Sequence, residues 1–176
     1  MKCAIIMILF FCIGCNTQNG YENYSSKKFP IEHTKAGFEK VPYGSVYAIQ
    51  YKSEGVIRNN TQWIYNSFFV KMRITLVLTN GKEISNEELD PFPFLIPSYI
   101  HLIRGKFSAR EENEFELRSP RITIDYKEYP IEKVIIMYYI TAEDPINDRE
   151  LNEVIYQIDV TNDWVNFIST FNEKVD

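Results

Sequence analysis

Apolar and polar residues alternate without a break through the middle of the chain. Phe68, Val70, Met72, Ile74, Leu76 and Leu78 fall on one parity; Phe69, Lys71, Arg73, Thr75, Val77 and Thr79 fall on the other. A strand turns successive side chains to opposite faces, so this period predicts a half-buried strand. Asn80-Gly81 follows and predicts a type I′ hairpin turn, which needs positive φ at both central residues. The return arm, Lys82 to Ser85, is short. The segments 45–51, 114–118, 121–126, 133–140 and 153–160 also pattern as strands. Lys133 to Ile140 is apolar on both parities, which predicts a central strand covered on both sides.

The period changes near the C-terminus. Trp164, Phe167, Ile168 and Phe171 fall at i, i+3, i+4 and i+7, one apolar stripe of a helix that Asn162 or Asp163 would cap. Between Pro97 and Gly105, Tyr99, Ile100 and Ile103 share one side of a second helical segment, 98–104, although β-branched Ile suits a strand too. Together these elements predict an α+β fold: a mostly antiparallel sheet of about six or seven strands with a C-terminal amphipathic helix. An all-β sandwich is the alternative.

The chain opens on "KCAIIMILFFCIGCN". Lys2 is a short positive start, and Cys3 to Ile13 is an unbroken apolar run of 11 residues. A bilayer span needs about 20 apolar residues, whereas the apolar region of a secretory signal has roughly 7–15. The polar stretch "NTQNGYENYSSKK" follows at once. Residues Cys12 to Cys15, "CIGC", resemble the lipobox of bacterial lipoproteins, with Gly14 at the small position and Cys15 at the acylated one. The resemblance implies that residues 1–14 are a signal peptide and that Cys15 carries a diacylglycerol after cleavage. Anchoring takes two acyl chains, each buried CH₂ contributing about 0.8 kcal/mol. In such lipoproteins an Asp after the cysteine implies inner-membrane retention; Asn16 therefore implies the outer membrane. Cleavage at the same place without acylation would leave a secreted domain. Residues 15–28 lack a hydrophobic period and read as a lipidated flexible tether, with one β-rich domain over 29–176.

Composition narrows the chemistry. The chain has 176 residues and a formal net charge of −5, without a run of basic residues, which argues against a nucleic-acid partner. All three cysteines lie in the first fifteen residues, so the body has no thiol for a disulfide, a zinc ligand or a nucleophile. His33 and His101 sit in no metal spacing, and no G-x-S-x-G elbow or phosphate-cradling glycine loop occurs. No cofactor or metal is implied. Glu111, Glu112, Glu114 and Glu116 form one acidic run, and Glu143, Asp144, Asp148 and Glu150 another. Paired carboxylates could hydrolyse a glycoside or hold calcium; charge runs between strands are more often solvated. "DPFPFLIPSY" places Phe92 and Phe94 among prolines that deny a sheet its ladder bonds. It is either a plug at the end of the core or an exposed apolar edge that meets a partner. Tyr43 and Tyr47 in "KVPYGSVY" carry the same choice.

These features predict a lipid-anchored, periplasm-facing or envelope protein. Its partners are the membrane, through acyl chains on Cys15, and another protein, as for an immunity protein, an inhibitor or an accessory subunit. Phe92, Phe94 and Tyr43 are the candidate partner-binding residues. An envelope or secreted hydrolase with paired carboxylates is one alternative, and a binder of a small apolar ligand is another.

Overall fold

A computed structural model describes residues 21–44, 46–89, 98–123, 130–146 and 149–172. Along the chain run β1 (Tyr24–Ser25), β2 (Ile31–Tyr43), β3 (Val46–Arg58), β4 (Tyr65–Leu78), β5 (Glu83–Ile84) and α1 (Asn86–Leu89). Then come β6 (Ile100–Phe107), β7 (Glu112–Arg118), β8 (Ile131–Glu143), β9 (Glu150–Asp159) and α2 (Thr161–Asn172). The strands make two antiparallel sheets. The larger has the order β1-β9-β8-β4-β5, with β6 also paired to β4; the smaller has the order β2-β3-β7. The predicted antiparallel α+β fold with its C-terminal helix forms, divided into two layers. Cys15, Phe92 and Phe94 lie outside the described residues.

The alternation in β4 decides how the layers meet. Its apolar parity, Phe68 to Leu78, is buried to 3% exposure or less. From Phe68 to Leu76 these side chains share one core with Ile49, Tyr51 and Ile57 of β3 and Phe115 and Leu117 of β7. Burying each large apolar side chain contributes about 1.5–3 kcal/mol, so this seam is the main attraction between the sheets. β8 lies between β4 and β9, as its doubly apolar sequence predicts, and Val134, Ile136, Tyr138 and Ile140 extend the same core. Helix α2 closes one end. Trp164 is buried there, and Phe167, Ile168 and Phe171 pack partly buried beside it.

The outer face of the large sheet has a cover of its own. Asp159, Ile135 and Thr75 make one cross-strand row, and both Ile135 and Thr75 are buried although they face away from the core. Residues 21–23 lie across that face. Asn23 Oδ1 accepts the Asp159 N–H at 3.1 Å, Gln157 Nε2 donates to the Glu22 carbonyl at 2.8 Å, and the Tyr21 hydroxyl donates to Glu83 Oε1 at 2.6 Å. Burial, then the Glu83 carboxylate, push the Tyr21 phenol up to about 12. β1 then pairs with β9, and Ser26 N–H donates to the Ile155 carbonyl at 2.7 Å. The expected tether over 15–28 is thereby corrected: from Tyr21 onward the chain is docked on the domain.

Other local expectations change for identifiable reasons. The β4–β5 hairpin forms, but Gly81 alone takes positive φ, 80°, and Asn80 does not. Leu78 O accepts Gly81 N–H at 2.8 Å and Leu78 N–H donates to Lys82 O at 2.9 Å, so the loop is a three-residue turn with a left-handed glycine. Segment 98–104 is a turn leading into strand at Ile100, not helix: Ile100 and Ile103 pair with Lys71 and Phe68. Edge pairing with β4 suits β-branched residues better than an isolated helical turn. In 121–126 the described part makes one bridge, Ile122 with Ile49. Helix α2 begins at Thr161, earlier than predicted. Asp159 Oδ1 accepts its N–H at 2.9 Å, and Asn162 and Asp163 fall inside the first turn.

Candidate functional site

β2 and β3 form a hairpin with 13 residues in each arm, about 40 Å long at ~3.3 Å per residue. Tyr43 pairs with Val46, so two residues close the loop, and Gly44 supplies the positive φ, 60°, that a tight primed turn requires. β2 carries no clean alternation because its register shifts between His33 and Lys35, which moves its apolar residues to the other parity. The first half of this hairpin is therefore invisible to a period-two search. Gly44-Ser45 between Tyr43 and Val46 was the available signal.

The tip is aromatic and cationic. Tyr43 is 47% exposed and Tyr47 58%. Lys40 Nζ lies 3.9 Å from the Tyr47 ring centre and 4.9 Å from that of Phe171, and the Arg121 guanidinium lies 5.4 Å from the Tyr43 ring. Each such contact contributes about 0.5–1 kcal/mol at an exposed site, enough to bias ring orientation. The base of the tip is rigid. Phe38 of β2 meets Tyr51, Trp164 and Phe167 at ring distances of 5.1, 5.2 and 6.0 Å, tying the hairpin to α2.

Beside the tip lies an open hollow of about 320 Å³ that includes Tyr43, Gln50, Ser119 and Arg121. Gln50 Nε2 donates to the Ser119 carbonyl at 2.6 Å, and Ser119 Oγ accepts the Tyr51 N–H at 2.9 Å, which fixes its floor. Leu89 and Ser98 also line it. They flank the segment that carries Phe92 and Phe94, so the two described ends of that segment open on the same hollow as Tyr43. Lys40, Arg121 and Phe171 reach the tip only in three dimensions, and the register divides them between its faces: Arg121 with Tyr43 on one, Lys40 and Phe171 with Tyr47 on the other.

The other candidate groups sit elsewhere. His33 Nδ1 lies 3.0 Å from Ser53 Oγ, but Ser53 is fully buried and the rings of Phe115, Tyr138 and Tyr156 enclose the imidazole. No carboxylate is bonded to its other nitrogen among the described contacts, so the pair has neither an orienting acid nor, with Ser53 buried, an accessible hydroxyl. Burial holds the His33 pKa below its ordinary value. His101 lies on β6, remote in topology from β2. Of the first acidic run, Glu111 accepts the Ser108 N–H at 2.6 Å, and Glu112 pairs with Arg58 and Glu116 with Arg118 and Lys52 on the outer face of the small sheet. Its hydrogen bonds to Arg118 and Lys52 hold the Glu116 carboxyl below the usual range. In the second run, Asp144 Oδ1 accepts the Ile146 N–H at 2.9 Å within the β8–β9 turn. Among the described residues, no three His, Cys, Asp or Glu side chains are grouped to hold a metal ion.

No protein-family model matches this chain, and no curated protein matches it in sequence, so the reading of its function rests on its own residues.

Proposed function

We propose that this protein is a lipid-anchored envelope protein that acts by binding another protein through the tip of the β2–β3 hairpin. The observation that carries the proposal is the pair of exposed tyrosines, Tyr43 and Tyr47, with Arg121 and Lys40 seated on their rings. Tyr and Arg are enriched at the centres of protein interfaces because they present large contact area with a polar handle. The complementary surface would be apolar and flanked by carboxylates that take up the two cations. Phe92 and Phe94 lie outside the described residues; what supports keeping them as candidates is that Leu89 and Ser98, on either side of that segment, line the hollow.

The anchor is supported by the signal-like start and the CIGC motif at Cys15. Tyr21 is six residues further on, at most about 20 Å of extended chain. An acylated Cys15 would therefore keep the outer face of the large sheet, where Tyr21 is latched to Glu83, close to the lipid surface.

A photo-crosslinking amino acid placed at 43, 47 or 24 in cells tests the binding face. Tyr24 is an exposed control on β1, on the other sheet. Crosslinks to one defined protein from 43 and 47, absent from 24, are expected, and Tyr43→Ala with Tyr47→Ala should weaken the purified complex about tenfold or more. Equal crosslinks from all three positions, or an unaltered affinity, would refute the assignment.

A further inference from the structure

The open end of the same hairpin holds a second cleft. Phe29 and Tyr65, both buried, line it, and its volume is about 480 Å³. That is within the ~300–1,000 Å³ of small-ligand sites. Trp63 stands at its rim, 39% exposed. The loop that carries Trp63 is pinned by Asn59, which is fully buried. The two N–H groups of Asn59 Nδ2 serve the carbonyls of Trp63, Phe107 and Ser108 at 2.9, 3.1 and 3.0 Å, one of them shared, and its Oδ1 accepts the Thr61 N–H at 3.0 Å. The indole is therefore presented by a preorganised loop, which spares a ligand part of the ordering cost.

The charges around the indole cancel: Lys27 and Lys28 against Asp144 and Glu153. Lys28 and Glu153 stand 3.5 Å apart as a surface pair, and such pairs contribute little and separate readily. A charged ligand would meet one like charge for every opposite one. A neutral polyol would not, because each hydroxyl both donates and accepts and can bridge an ammonium and a carboxylate. The C–H face of a sugar ring is apolar and matches the face of an indole, whose large surface is already held in place. We propose that this cleft binds a short neutral oligosaccharide, with Trp63 as the stacking platform and Lys28, Asp144 and Glu153 as the hydroxyl partners. This site is at the opposite end of the hairpin from the proposed protein-binding tip and is independent of it.

The chain provides its own reporter. It has two tryptophans, and the other, Trp164, is 3% exposed, so iodide quenching reads Trp63. The full chain, purified in a zwitterionic, sugar-free detergent, would be titrated with maltotriose, cellotriose and triacetylchitotriose, with trigalacturonate as an anionic control. Emission and calorimetry would both be recorded. At least one neutral trimer should shift the emission saturably and shield Trp63 from iodide. Trp63→Ala should weaken calorimetric binding about tenfold or more, as for a central aromatic anchor. Glu153→Gln keeps the shape and removes a charged acceptor; it should weaken binding several-fold, and it decides the matter should Trp63→Ala fail to fold. The proposal is overturned if no neutral trimer binds, if neither variant changes the affinity, or if trigalacturonate binds as tightly as the neutral trimers.

Discussion

Asn86 should be among the costliest polar residues to remove. β4 is paired on one edge with β8 from Phe69 to Leu78, but its other edge is shared: β6 takes Tyr65 to Lys71 and β5 takes Leu76 and Val77. In the gap between them the Tyr99 carbonyl accepts the Met72 N–H at 2.8 Å, and one side chain takes the next two backbone groups. Asn86 Oδ1 accepts the Ile74 N–H at 2.8 Å, and its Nδ2 donates to the Met72 carbonyl at 2.8 Å. The amide thus reproduces one residue of a missing strand, at 2% exposure, where water cannot replace it. Asn86→Ala leaves a buried donor and a buried acceptor unpaired, each worth about 1–3 kcal/mol. A loss of about 3 kcal/mol is expected, because the short α1 can shift and admit some water. That is a large part of a domain stability of about 5–15 kcal/mol. Urea unfolding gives the total, and hydrogen exchange at the Ile74 amide gives the local effect. Asn86→Asp should be no better: its carboxylate still accepts from Ile74 but faces the Met72 carbonyl. A loss below about 1 kcal/mol, or an Ile74 amide still protected to the global limit, would refute the plug. Because α1 leads to Leu89 at the rim of the Tyr43 hollow, the variant should also loosen that side of the proposed binding face.

Four further outcomes are expected, three from the structure and the last from the proposed anchor. The folded state keeps His33 neutral through burial, so the unfolded chain binds its proton first. Stability should therefore fall as pH drops below about 6.5 and stop falling below the depressed folded value; His33→Gln should flatten that part of a urea-midpoint profile and leave the carboxylate-driven loss below about pH 4.5 in place. Gly55→Ala would put a Cβ 2.5 Å from the Glu32 carbonyl and 3.0 Å from the Phe115 ring, against backbone that cannot yield cheaply; a loss of about 2 kcal/mol is expected in the same assay. Phe171→Ala should cost about 1–2 kcal/mol, less than the ~3–5 for a fully buried Phe, because Phe171 is only partly buried; thermal melts of this variant beside Trp164→Ala, which should lose more, check the order. Cys15→Ser should abolish labelling by an alkyne fatty acid and move the protein from the membrane to the soluble fraction; unchanged retention would remove the anchor.

What could be read from the chain was whatever one element dictates alone. β4 and the α2 stripe were legible because each has a single buried face, and a face leaves a period. β8 was legible because a strand with neighbours and cover on both sides leaves an apolar run. β2 was not, because a bulge at Thr34 moves its apolar residues from one parity to the other, and the strand has no single period to detect. The N-terminal strap was missed for a different reason. Residues 21–28 are polar because they pair through backbone and side-chain hydrogen bonds and bury little of themselves, so their composition resembles that of a linker. The effect of residues 21–23 shows instead on the outer face they cross, where Ile135 and Thr75 are buried. Of the candidate site, Tyr43 and Tyr47 were visible as aromatics, but only the hairpin register, which places them at its tip, decides that they face outward rather than plug the core. Lys40, Arg121 and Phe171 were not, since they meet only through strand register and helix docking. Trp63 was no more visible, because an aromatic residue in a loop acquires meaning only when a buried group such as Asn59 fixes where it stands.

The same topology sets how the two proposed surfaces would work together. The row beneath the strap, Thr75 and Ile135, lies ten residues along β4 from Tyr65, the lining residue of the Trp63 cleft, a separation of about 33 Å. A chain acylated at Cys15 would thus be held at one end of the large sheet and would carry the cleft at the other, away from the lipid. The β2–β3 hairpin spans the same distance in the small sheet, with its tip packed against α2, which starts beside the strapped row. Protein partner and saccharide would therefore engage opposite ends of one rigid, two-layer body. They need not compete, and a bound partner at the tip has no direct path to the cleft except through the shared core. If both bind, their affinities should be independent; a measured coupling between them would require a second arrangement of the two sheets.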